Sequence, residues 1–240
     1  MKYDLENKSP SSVGFPLPGG KRQLKHLFGQ NIQKGIRALI IGPSTNSIIK
    51  GLLEYFPEIN IIADNYDSLM NIRMTLKEEY SIRIKMMDYA HTDFENEHFN
   101  LIFSQGSISV IERKNILKEI KRIIVNDGLF CVGEIVSLKE PVPAFVKDIW
   151  ERNGMEPLVS STITQFYESK GFKVISEKDL STSLKDYYEN IRLLVLKTDT
   201  DKKEAEKKYF SRLKHESNAF LKLGGDKYIG FKSLIMRKSN

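Results

Sequence analysis

Asp64 stands 22 residues after Gly42, and between the two the hydrophobic period changes twice. Residues 38–41 are a continuous apolar run of the kind a sheet buries on both faces, and Gly42 stops it. Ile48, Ile49, Leu52, Leu53 and Phe56 then recur at helical spacing, after which Ile59, Ile61 and Ile62 return to strand character. Strand, glycine turn, helix, strand and acid predict a nucleotide-binding βαβ half, because an acid about 20 residues past the turn reaches a ribose hydroxyl. The turn itself reads Gly42-Pro43-Ser44-Thr45-Asn46-Ser47. It holds one glycine where dinucleotide binders place three to approach a pyrophosphate. A pyrophosphate ligand, and with it a nicotinamide oxidoreductase, is disfavoured.

The alternation continues along the chain. Residues 69–80 read as a helix, 82–87 as a strand closing on Asp88, and 99–104 as a fourth strand. Ile116, Ile120, Ile123 and Ile124 mark a helix that breaks at Asn126-Asp127-Gly128 before a fifth apolar strand at 129–136. Short helices are expected around Trp150 and at 162–170, then a sixth strand at 172–176. Two helical patterns follow within 177–226, and an alternating strand runs over 228–236. The prediction is an α/β fold: a Rossmann-like, doubly wound seven-stranded sheet, mostly parallel with an antiparallel last strand. A helical insertion separates strands six and seven. The domain scheme is a single unit over 1–240, with an N-terminal flap and helix (1–34), a core (35–176), the insertion as candidate lid (177–226) and the last strand (227–240).

Bulk properties exclude several classes. No apolar run nears the roughly 18 residues of a membrane span, and the N-terminus lacks the apolar core of a signal peptide, so a cytoplasmic protein is expected. Cys131 is the only cysteine, and His26, His91, His98 and His215 are scattered, so neither a disulfide framework nor a structural metal is expected. The net charge of +6 resides in residues 197–240, which hold 12 Lys/Arg against 6 Asp/Glu. Those charges alternate in sign, the pattern of a solvated helix face rather than of a nucleic-acid surface.

Four segments in order carry a family resemblance: the loop Gly42-Pro43-Ser44, Asp64 in Ala63-Asp64-Asn65-Tyr66-Asp67, Asp88 in Met87-Asp88-Tyr89-Ala90, and the strand from Phe99 to Ser104. With the helix and glycine turn Glu119 to Leu129, the chain resembles the class I S-adenosylmethionine-dependent methyltransferases. The small-molecule branch that includes the ubiquinone and menaquinone biosynthesis enzymes is the most similar. The resemblance implies S-adenosyl-L-methionine as cofactor, with Gly42, Pro43, Ser44 and Thr45 against its methionine end. It implies Asp64, with Asn65 beside it, on the ribose diol, Asp88 on the adenine amino group with Tyr89 beside the ring, and Ser104 and Gln105 at the methyl donor. The chain departs from the family at Ile40, where an acid is usual, and at Ser44 and Asn46, where glycines are usual. Ser44, Thr45, Asn46 or Ser47 can cap the following helix, and Asn tolerates left-handed backbone.

Methyl transfer from a sulfonium demands alignment and exclusion of water more than a fixed catalytic group. His91, Glu134 and Tyr188 are the candidate bases. After strand four the chain reads Ser104-Gln105-Gly106-Ser107 and lacks the Asn/Asp-Pro-Pro-aromatic motif of nucleic-acid amino methyltransferases. The acceptor is therefore expected to be a small molecule, with no specific nucleic-acid partner. The alternative is a non-catalytic cofactor-binding or partner-binding protein on a degenerate methyltransferase fold.

Overall fold

The computed structural model describes residues 17–76, 82–197 and 204–239. In chain order the elements are α1 (Gly20–Phe28), β1 (Arg37–Ile41), α2 (Asn46–Leu53), β2 (Glu58–Ala63), α3 (Tyr66–Thr75), β3 (Ile82–Met86), β4 (Phe99–Gln105) and α4 (Arg113–Ile123). There follow β5 (Ile124–Ser137), α5 (Ala144–Arg152), β6 (Leu158–Val159), α6 (Ile163–Ser169), β7 (Phe172–Asp179), α7 (Ser183–Lys197), α8 (Glu204–Lys222) and β8 (Ile229–Lys238).

The strands form one sheet in the order β3-β2-β1-β4-β5-β8-β7, with β6 paired to β5. β1 to β5 are mutually parallel, and β8 runs antiparallel between β5 and β7. The predicted doubly wound fold with an antiparallel last strand is thus present. It gains an eighth strand, the two-residue β6, which is too short to show a hydrophobic period. The turn residues Asn126-Asp127-Gly128 do not end an element as expected. They lie inside β5, where the ladder to β4 jumps from Phe99↔Ile124 to Leu101↔Leu129 and residues 125–128 loop out of register. The helix expected at 69–80 starts earlier, at Tyr66, because Asn65 caps it with a bond from Ser68 N–H at 2.8 Å. Its expected last residues, and the flap before Leu17, lie outside the described residues.

Alternation along the strands sorts the core into two layers. Leu39, Ile41, Ile102, Phe130 and Val132 face α4 and α6, where Ile116, Ile120, Ile163 and Tyr167 cover them. Ala38, Ile40, Ile61, Phe103 and Cys131 face the other way, under Leu24 and Leu27 of α1, Ile48, Ile49 and Leu52 of α2, and Ile72 of α3. A third cluster gathers α5, α7 and α8 around Ile135, Ile229 and Phe231. Ile229 pairs with Ser137 at the last rung of β5. The α7–α8 insertion therefore springs from the carboxyl edge of the parallel strands. No described helix is long and apolar enough to cross a membrane.

Candidate functional site

The direction in which strands are added reverses between β1 and β4: successive strands step outward from β1 through β2 to β3, then restart at β4 toward β5. Open α/β sheets bind ligands at the carboxyl side of such a switch point. Ile41 pairs with Ser104 there, so the loop after β1 and the end of β4 are neighbours.

Gly42 is held at φ 92°, and a Cβ on it would lie 1.9 Å from Ser107 Oγ. Both facts demand glycine. Its N–H donates to the Ile62 carbonyl at 2.9 Å, tying the turn to β2. The two missing family glycines have a physical explanation: among the described residues Glu97 is the only non-glycine with positive φ, so Ser44 and Asn46 take ordinary backbone. Asn46 opens α2 and needs no left-handed conformation, and Thr45 is the N-cap by backbone, without a side-chain cap bond. Its Oγ1 meets Ser47 Oγ at 3.0 Å instead. Pro43 is exposed, whereas Ser44 is buried with its hydroxyl unpartnered.

Asp64 follows the last residue of β2 and is exposed. Its Oδ1 accepts from Asn65 Nδ2 at 2.8 Å while the Asn65 carbonyl caps α3, so one side chain fixes both the helix and the acid. The buried Tyr89 phenol stands beside Asp64, and burial, reinforced by that negative charge, pushes its pKa well above the ordinary range. A Cβ on Gly42 would stand 3.7 Å from the Tyr89 hydroxyl. Gly42, Asp64 and Tyr89, from three different connections, thus meet at one place.

Asp88 is presented differently. Its Oδ1 accepts from Ala90 N–H at 2.8 Å and its Oδ2 contacts His91 Nδ1 at 3.1 Å; these bonds, the backbone one foremost, hold its pKa below the usual carboxylate value. His91 itself is largely exposed.

At the end of β4 the structure adds a residue that sequence reasoning missed. Gln23 of α1 is fully buried, donates to the Ser104 carbonyl at 2.8 Å and leaves its own Oε1 without a partner. Gln105 donates to the Gly20 carbonyl at 2.9 Å, and its Oε1 is likewise unpartnered, as is Ser104 Oγ. A glutamine beside Leu24 on the buried face of a short helix was the available signal. Unpaired buried polar atoms cost free energy, and these, with Ser44 Oγ, lie around the switch point.

Two candidate bases lie elsewhere. Glu134 is fully buried within β5; it accepts from Arg113 Nε at 3.0 Å and from the hydroxyls of Ser109 and Tyr167. Tyr188 is buried in the insertion, donates to Glu216 at 2.9 Å and stacks on Phe220 with centroids 4.3 Å apart. Cys131 lies in the core, its thiol pushed up to about 12 by burial. No group of three metal-ligating side chains occurs among the described residues.

Residues 39–132 match the family model described as a methyltransferase domain. No curated protein matches the chain. Among solved structures, the chain is similar to phosphoethanolamine N-methyltransferase 2 of Haemonchus contortus, solved with S-adenosyl-L-methionine: TM-score 0.74, 16% identity, 95% of this chain and 54% of that one. It spans about half the length of that enzyme. It is also similar to the cyclopropane synthase MmaA2 of Mycobacterium tuberculosis, at TM-score 0.73 and 12% identity over 96% and 91% of the two chains. Geranyl diphosphate C-methyltransferase of Streptomyces coelicolor A3(2), solved with S-adenosyl-L-homocysteine, gives TM-score 0.64 and 12% identity over 91% and 77%. Identities this low speak for fold alone. The match over residues 39–132 and the likeness over nearly the whole chain give this protein the Rossmann-like fold of the S-adenosylmethionine-dependent methyltransferases.

Proposed function

We propose that this chain binds S-adenosyl-L-methionine and transfers its methyl group to a small-molecule acceptor. The observation that carries the reading is the meeting of Gly42, Asp64 and Tyr89 at the switch point of the sheet. A glycine turn without room for a Cβ, a carboxylate for ribose hydroxyls and a buried aromatic fit a nucleoside. The unpartnered Ser44 Oγ, Ser104 Oγ and Gln105 Oε1 are polar groups that a ligand at this edge would complete. Pro43 and Thr45 line the same turn, and Asn65 supports Asp64. Asp88 is the adenine-side acid in this reading, although its turn already uses both oxygens.

The cofactor, when bound, supplies an activated methyl on sulfur; the acceptor's lone pair forms the new bond as the sulfur–carbon bond breaks. The chain's task is to orient the two and to exclude water. Glu134 is committed to Arg113, Ser109 and Tyr167 and Tyr188 to Glu216, so neither is the base in this reading, and His91 remains a solvent-side group paired to Asp88. The insertion α7–α8, with α5, serves as lid and shapes the acceptor pocket, because it roots at the carboxyl edge through Ile229 and Phe231.

Calorimetric titration with S-adenosyl-L-homocysteine tests the reading. Binding is expected, and Asp64→Ala should weaken it by about 1.5–3 kcal/mol, the range for hydrogen bonds to a charged group. Absence of binding, or binding indifferent to Asp64, would overturn it.

A further inference from the structure

A cavity of about 480 Å³ lies between the start of α7 and the end of α8, lined by Ser181, Thr182, Lys185, Phe220, Leu221 and Asp226. Its size falls within the range of small-molecule sites. Its lining combines hydroxyls, both signs of charge and apolar surface. Ser181 Oγ already accepts from Phe231 N–H at 3.1 Å, and Thr182 Oγ1 accepts from Arg22 at 3.0 Å, so each hydroxyl keeps its own proton to donate. Lys185 adds an ammonium on the same side. The neighbouring Arg22 charge is already spent on Asp186, at 2.9 Å. Asp226, in the turn before β8, adds a carboxylate to the lining, and Phe220 and Leu221 add apolar surface. Among the described residues neither Lys185 nor Asp226 has an ion-pair or side-chain hydrogen-bond partner. Two opposite charges thus face one cavity without neutralising each other.

We infer that this cavity binds a small zwitterion, its anionic head on Ser181, Thr182 and Lys185 and its amine on Asp226. The anionic head is a carboxylate or a phosphate-type group. The cavity opens at the same sheet edge as Gln105: Ser181 follows β7 and Asp226 precedes β8, both at the carboxyl side of β5.

The test titrates 6-aminohexanoate and 3-aminopropylphosphonate into the full chain, with hexanoate and hexylamine as single-charge controls. The shift of protein NMR resonances is the readout. Zwitterions should bind more tightly than either control. Lys185→Ala and Asp226→Ala should each weaken them by roughly ten-fold, the loss of one charge-assisted hydrogen bond. Both side chains are exposed, so an unchanged melting temperature should verify the fold. The tighter of the two probes identifies the anionic head. No zwitterion binding, controls binding equally well, or indifference to both substitutions would overturn the inference. S-adenosyl-L-homocysteine affinity should be unchanged in both variants. If zwitterions bind with this charge dependence while the homocysteine compound does not bind at all, the site stands and the methyl-transfer reading falls.

Discussion

At Gly42 the backbone angle and the Ser107 hydroxyl act together, so Gly42→Ala should lose roughly 1–2 kcal/mol from the left-handed conformation alone. The clash adds to that, and the loop should shift away from Asp64. Thermal unfolding should record the destabilisation, and titration the loss of cofactor binding. Glu134 behaves oppositely. It is a fully buried carboxylate whose partners Arg113 and Tyr167 are buried too. Glu134→Ala strands the guanidinium in the core and should cost about 3–5 kcal/mol in urea unfolding. A catalytic base would instead change the rate-versus-pH profile and leave stability intact. His26 sits between Ser233 Oγ and Ser176 Oγ at 2.8 Å each, and burial first, then the Lys178 charge, lowers its pKa from 6.5. The folded state thus disfavours the extra proton. The contribution is full above pH 6.5 and is lost as pH falls through the lower folded value. Stability measured from pH 7.5 down to 5 should fall more in the native chain than in His26→Gln.

Among the elements, α1 shows how far a helical period reaches. Leu24 and Leu27 mark its buried face in the sequence, but nothing there says which part of the sheet it covers. Gly133 decides that. A Cβ on it would meet Gln23 Oε1 at 2.3 Å and Phe231 Cζ at 2.4 Å, so α1 crosses β5 where the strand has no side chain. Gly133→Ala should lift α1, accelerating amide hydrogen exchange over residues 20–28 while β1 to β3 keep their protection. β6 and the looped residues of β5 were illegible for a related reason. Two-residue strands and register shifts arise from what lies alongside, not from a local period.

For the whole molecule, the outcome turns on how the insertion folds back over the sheet edge. Tyr188, Phe220 and Trp150 pack in one cluster with Phe231 of β8, and Tyr188 bonds to the half-buried Glu216, whose pKa desolvation raises. Tyr188→Phe should loosen this packing and lower acceptor turnover while cofactor affinity stays nearly constant, because the substitution lies in the third cluster and not at Gly42 or Asp64. Single-turnover kinetics beside calorimetry would separate the two.

By itself the sequence determined the order of strands and helices apart from β6, the two acids at strand ends, the glycine turn and the position of the insertion. Those are local properties: apolar period, turn chemistry and chain spacing are complete within a few residues. Only the tertiary structure decided that Gly42, Asp64 and Tyr89 converge, that Glu134 belongs to a buried ionic cluster, and that Gln23 reaches β4. Likewise, Lys185 and Asp226 face one cavity although 41 residues separate them. Each of these depends on a sheet register or a helix crossing set by the packing of distant apolar faces, and such packing leaves no periodic trace at the polar residue it positions.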